Sequence, residues 1–216
     1  MLDWTAVDTV LLDMDGTLLD LAYDNHFWLE HIPKVFAETR GIGLDEAKGQ
    51  LHAKMSATQG TLEWYCIDHW TDTLGFDVHE HVRSTAHQSR ARPQVFEFLD
   101  FLKAQDKRIF LVTNAHQVVL DSKLANIDLR PYFNHLVTSH QFQAPKESQA
   151  FWHSFASAYP FNPERTVLID DNETVLSAAK QFGIEYLITL KQPDSRYTIK
   201  TDTLHQAIHH FDELFA

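Results

Sequence analysis

With 216 residues, 44% hydrophobic and 22% charged, the chain has the composition of a globular protein and the length for one large domain or a core with a modest insertion. Its 30 acidic against 18 basic residues give a formal charge of −12, which argues against long nucleic acid as a partner, since that is held by many Lys and Arg contacts to phosphate. A lone cysteine, Cys66, excludes an internal disulfide; the apolar runs Thr9–Leu12 and Ile109–Val112 fall far short of the ~20 residues of a membrane span; and Met1-Leu2-Asp3-Trp4 lacks a signal-peptide pattern, so a cytoplasmic protein is expected.

The first predicted element is Asp8-Thr9-Val10-Leu11-Leu12-Asp13, continuously apolar and ending in a carboxylate, as in a strand buried on both faces. Met14-Asp15-Gly16-Thr17 follows, where Gly16 permits a tight turn near a ligand. From about Leu19 to Arg90 the pattern is helical and rich in aromatics. Phe27, Trp28, Ile32, Val35 and Phe36 mark a first helix, punctuated by Gly41 and Gly43. Asp45 to Ala57 reads as a second, Leu62 to Leu74 as a third capped by Thr61, and Val78 to His87 as a fourth. No strand-like run breaks this stretch.

After Pro93 helix and strand alternate. Helices are expected over Val95 to Ala104, Gln117 to Ala125, Lys146 to Ala158 and Glu173 to Gln181; strands over Arg108 to Thr113, His135 to Thr138, Thr166 to Asp170 and Glu185 to Thr189. Such alternation implies parallel pairing through right-handed crossovers. The expected fold is α/β, a Rossmann-like doubly wound parallel sheet formed by residues 1–18 and 91–216, with an all-helical cap inserted over residues 19–90.

Ligands of open parallel sheets collect at the carboxyl ends of the strands. Three predicted strands end there in polar residues: Asp13 with Asp15, Thr113-Asn114, and Asp170-Asp171, with Lys146 opening a helix between the last two. Four converging carboxylates repel one another unless a cation sits among them, and an all-oxygen donor set suits Mg2+.

Asp13-Met14-Asp15-Gly16-Thr17, Thr113-Asn114, Lys146 and Asp170-Asp171 resemble, in order, the four motifs of the haloacid dehalogenase-like superfamily. Leu18 through Trp28, Trp64-Tyr65-Cys66 and Leu168 through Asp171 further resemble that superfamily's bacterial GMP/IMP nucleotidases. The resemblance implies a magnesium-dependent phosphatase. Asp13 would be the nucleophile and Asp15 the general acid/base. Thr113, Asn114 and Lys146 would bind phosphate; Asp13, Asp15 and Asp171 would hold the metal, with Asp170 behind the direct ligands or reaching it through water. Many relatives carry Gly-Asp and a further acid where this chain has Asp170-Asp171 and Val175, which leaves the division of labour between the two aspartates open. Asp15 argues against a dehalogenase, whose halide leaving group needs no proton. A sugar- or organic-acid-phosphate phosphatase, a mutase, or a binding module that has lost turnover remain alternatives.

Tyr23, Asn25, Phe27, Trp28, Trp64 and Tyr65 fall in the expected cap and are candidates for contact with a purine nucleotide, although aromatics at this spacing also build helix-bundle cores. Asp20 and Asp24 read as solvated, and Arg92 as an anchor where the cap returns to the core. The fourteen histidines show no zinc spacing and only Cys66 could add a thiolate, so they read as scattered. Gly41-Ile42-Gly43 is no dinucleotide motif, and neither a Gly-Lys-Ser/Thr phosphate loop nor a Gly-x-Ser-x-Gly elbow occurs.

Overall fold

The computed structural model describes residues 2–215. Four-residue β1 (Thr9–Leu12) is buried throughout and lies at the centre of a six-stranded parallel sheet. Its partners are β2 (Arg108–Thr113) on one side and β4 (Thr166–Ile169) on the other; β3 (His135–Thr138), β5 (Tyr186–Leu190) and β6 (Gln206–Ile208) complete the order β3-β2-β1-β4-β5-β6. The order reverses between β1 and β4, which opens a crevice at their carboxyl ends. Alternate residues feed two cores. Val10, Leu12, Ile109 and Leu111 pack on α6 (Val95–Ala104) and α7 (Gln117–Leu124), whereas Leu11, Phe110, Val112 and Leu168 pack on α8 (Gln149–Ala158) and α9 (Glu173–Phe182).

Between β1 and α6 the chain forms only helices: α1 (Ala22–His26), α2 (Ile32–Arg40), α3 (Leu44–Thr58), α4 (Ile67–Leu74) and α5 (Val78–Thr85), with short 3-10 turns. They bury a core of their own around Phe27, Phe36, Leu51, Trp70 and Val82. The chain leaves and re-enters the sheet along two adjacent segments: Leu19 bridges Ala91, and the Arg92 amide donates to the Leu18 carbonyl at 2.9 Å. Arg92 is buried and donates to the carbonyls of Gln192, Pro193 (3.1 Å) and His209 (3.2 Å), fastening this crossing to the C-terminal segment.

Three local expectations are corrected, and one element is added. A π-helical turn, Phe27–His31, joins α1 to α2, its wider ring accommodating Pro33, which has no N–H to donate. Thr61 caps nothing, because its hydroxyl donates back to the Thr58 carbonyl at 2.7 Å; a 3-10 turn (Glu63–Tyr65) and extended Cys66 precede α4. Lys146 lies outside α8 in a turn after Pro145, since the Ser148 side chain caps that helix by accepting from the Ala150 amide. Strand β6 has three residues at the sheet edge and no apolar run to announce it. No described helix is long and apolar enough to cross a membrane.

Candidate active site

Leu12 pairs with Ile169 across the sheet, so the next residues, Asp13 and Asp170, emerge side by side at the crevice. Lys146 Nζ lies between them, 2.5 Å from Asp13 Oδ1, 2.7 Å from Asp170 Oδ2 and 3.0 Å from the Val112 carbonyl. These acceptors engage all three ammonium protons. The Lys146 backbone is held as firmly: its amide donates to Asn114 Oδ1 (2.9 Å), and its carbonyl accepts from the Trp152 indole (2.7 Å). Asp171 is placed by its amide, which donates to the Thr17 hydroxyl at 3.1 Å, and its carboxylate lies against Gly16. Gly16 has φ +84°, and a Cβ there would stand 2.6 Å from the Asp171 carboxyl carbon. Only glycine meets both demands.

Thr113 Oγ1 accepts from the Ala115 amide at 3.0 Å. The Asn114 side-chain amide donates to Glu147 Oε2 at 2.9 Å, and the Tyr65 hydroxyl donates to Glu147 Oε1 at 2.6 Å. Glu147 thus ties the helical layer to the sheet. In the sequence Glu147 stands beside Lys146, a pairing that reads as ordinary solvated charge.

Burial pushes the Asp13 carboxyl well above its ordinary range; Lys146 opposes this, and Asp170, Asp171 and Asp15 reinforce it. Burial and Asp170 push Asp171 up to about 7. Burial also works against charge on Lys146, but Asp13 and Asp170 outweigh it and hold the ammonium above the usual lysine range. One ammonium among Asp13, Asp170 and Asp171 leaves the group short of positive charge. Oxygens of these three carboxylates lie within 4.8 Å of one another, an all-oxygen set that fits a hard divalent ion.

A second buried lysine completes the picture. Lys123, on α7 and 1% exposed, stands 2.6 Å from Asp15 Oδ1 and 2.6 Å from Asp24 Oδ1. Burial disfavours its charge, but Asp15 and Asp24 together raise it above the ordinary lysine range, while burial and Asp15 push Asp24 up to about 7. Asp24 is therefore an interior ion-pair residue, not a solvated one. Asp20 instead accepts from the Ala22 amide at 2.9 Å and the Ser195 amide at 3.1 Å. Lys123 had a sequence signal: with Leu120 and Leu124 it lies on the buried stripe of α7.

Asp13, Asp15, Asp24, Asp170 and Asp171 floor a cavity of about 370 Å³ that the helical layer covers from the other side. Asn25, Trp28, Trp64 and Tyr65 line it, as do Met55 and His116. Asn25 also donates to Asp194 Oδ2 at 2.7 Å. Tyr23 and Phe27 do not reach the lining: both are buried in the helical core, the Tyr23 hydroxyl lying 3.0 Å from that of Thr85.

Residues 7–183 match the model of a family of hydrolases described as haloacid dehalogenase-like hydrolase. The GMP/IMP nucleotidase YrfG of Escherichia coli (strain K12) is 40% identical over 211 residues, which cover 98% of this chain and 95% of that protein. Among solved structures, a HAD phosphatase from Thermococcus onnurineus superposes with TM-score 0.78 at 19% identity, covering 96% of both chains. The HAD-hydrolase YfnB of Bacillus subtilis, in a structure bound to magnesium, superposes with TM-score 0.69 at 18% identity over 97% of both chains. The match runs through β1 and β4, beyond whose ends stand Asp13 and Asp170, and through the turn that carries Lys146, and by it the chain belongs to the haloacid dehalogenase-like hydrolases, an enzyme family.

Proposed function

We propose that this enzyme is a magnesium-dependent phosphomonoesterase acting on purine nucleoside monophosphates, GMP and IMP, with residues 1–18 and 91–216 as core and 19–90 as cap. The observation that carries this reading is one cavity with two unlike ends: an aspartate–lysine floor suited to phosphate and metal, and a wall holding Trp28 and Trp64. The likeness to a GMP/IMP nucleotidase over almost the whole chain supports the choice of substrate.

Asp13, Asp170, Asp171 and the Asp15 carbonyl would hold magnesium, which when bound offsets the crowded carboxylates and the charge on the transferring phosphoryl group. An Asp13 carboxylate oxygen attacks phosphorus, and the bond from phosphorus to the nucleoside 5′ oxygen breaks. Asp15 gives that oxygen its proton. In the second step Asp15 takes a proton from water, the water oxygen attacks phosphorus, and the bond to Asp13 breaks, releasing phosphate and the free aspartate. Lys123 fixes the Asp15 carboxyl through Oδ1. Lys146 holds Asp13 and supplies positive charge beside the phosphoryl oxygens, which Thr113 and Asn114 meet through hydrogen bonds. Trp28 and Trp64 offer faces to the purine, each stack contributing ~1–3 kcal/mol.

The test is phosphate release from GMP, IMP, AMP, phosphoglycolate and p-nitrophenyl phosphate with magnesium, for wild type and Asp13→Asn. Turnover of GMP and IMP that disappears in the variant is expected. Turnover of the small esters alone would overturn the nucleotide assignment and leave the phosphatase standing.

A further inference from the structure

Beside the cavity, on its cap-to-core seam, Cys66, His116 and His140 converge from three separate segments. Sγ and one nitrogen from each ring lie within 4.8 Å of one another. Cys66 is the extended residue between a 3-10 turn and α4, in the cap. His116 is the residue before α7, and His140 sits in the 3-10 turn after β3, both in the core. We propose that these side chains form a binding site for a borderline or soft divalent ion such as Zn2+, and that its occupation fastens the cap to the core and slows turnover.

One thiolate and two imidazoles suit zinc and disfavour magnesium, so this donor set is chemically distinct from the carboxylates of the cavity floor. Each ring keeps a nitrogen without a strong partner. His140 Nε2 is buried without a hydrogen-bond partner. His116 has only loose partners, the Val118 amide at 3.4 Å from Nδ1 and Asp68 Oδ2 at 3.6 Å from Nε2. Burial holds both rings below the usual histidine range, which keeps them neutral and able to donate a lone pair. Beyond them, His79 Nε2 meets Asp68 Oδ1 at 2.7 Å, so the carboxylate that faces His116 is itself oriented, as around many ligating histidines. One ion bonded to all three donors at about 2.0–2.3 Å clamps Cys66 and the cap against the two histidines on the sheet side. Substrate exchange needs the reverse movement.

The experiment uses the full-length enzyme with magnesium in excess and p-nitrophenyl phosphate as substrate, so that it does not depend on the nucleotide assignment. Co2+ serves as the spectroscopic probe and Zn2+ as the inhibitor. Wild type should bind one Co2+ with a thiolate-to-cobalt charge-transfer band, and Zn2+ should lower its kcat. In Cys66→Ser the band should vanish, and in Cys66→Ser and His140→Ala affinity for the probe should fall by ~100-fold or more, since even an outer-shell partner is worth ~10–100-fold. Both variants should keep magnesium-supported turnover and resist Zn2+. Absence of the band in wild type overturns the site. Equal inhibition of wild type and both variants also overturns it, because zinc would then be acting at the carboxylates of the cavity floor.

Discussion

Lys123 carries the residue-scale case, because one ammonium separates two interior carboxylates that come from different parts of the chain. Lys123→Met keeps the volume and removes the charge, leaving Asp15 and Asp24 without their cation. Breaking a buried pair in this way costs about 3–5 kcal/mol, so the urea midpoint should fall with little change in the slope of the transition. Adding Asp24→Asn should recover part of the loss, the mark of a direct coupling. At Gly16 the effect is local and steric: Gly16→Ala forces a Cβ onto the Asp171 carboxylate in a backbone conformation with φ +84°. The expected outcome is weaker magnesium activation, read as a shift of the metal dependence of turnover to higher concentration, with the fold retained by far-UV circular dichroism.

At the scale of elements, the helical layer between β1 and α6 is tied to the sheet side by polar bonds that cross the seam: Tyr65 to Glu147, Asp24 to Lys123, and Asn25 to Asp194. Burial and Glu147 both push the Tyr65 phenol upward, so it remains a proton donor to that carboxylate at any working pH. Tyr65→Phe removes the donor and leaves the ring. A hydrogen bond to a charged group contributes ~1.5–3 kcal/mol, much of which water restores once the seam opens. A rise in the KM for GMP of roughly 5–30-fold is expected, equivalent to one or two kcal/mol. An unchanged KM would show that closure does not draw on this bond. The helices themselves follow from their own residues: Asp77 caps α5 and Asn172 caps α9 by accepting from amides of the first turn, as the N-terminal positions of helices require.

For the whole molecule the governing fact is charge. A chain of net charge −12 gathers Asp13 and Asp170 in its interior around one ammonium, with the half-buried Asp171 beside them. An ion that binds the folded state alone raises stability by mass action, about 2.7 kcal/mol at a hundred times its dissociation constant. For a chain of this size that is a rise in Tm of roughly 5–10 °C, which excess EDTA should reverse. A melting curve indifferent to magnesium would count against the carboxylate set as a metal site.

How much of this was legible in the sequence depended on the range of the interactions. Thr9-Val10-Leu11-Leu12 declared a strand buried on both faces, and the alternation after Pro93 declared the parallel sheet, because hydrophobic periodicity is a local property of the chain. Asp13, Asp15, Asp170 and Asp171 were visible for the same reason, as polar residues at the ends of such strands. The turn holding Lys146 was missed, although Pro145 and the capping Ser148 lay in plain view; the edge strand β6 gave no signal. The contacts of Lys123, Glu147 and the Cys66, His116 and His140 group join segments up to 108 residues apart. No periodicity reports which buried lysine meets which aspartate. That pairing is decided only when the helical layer folds back over the sheet and takes these groups out of water, into an interior where an unpaired charge is costly enough to select its partner.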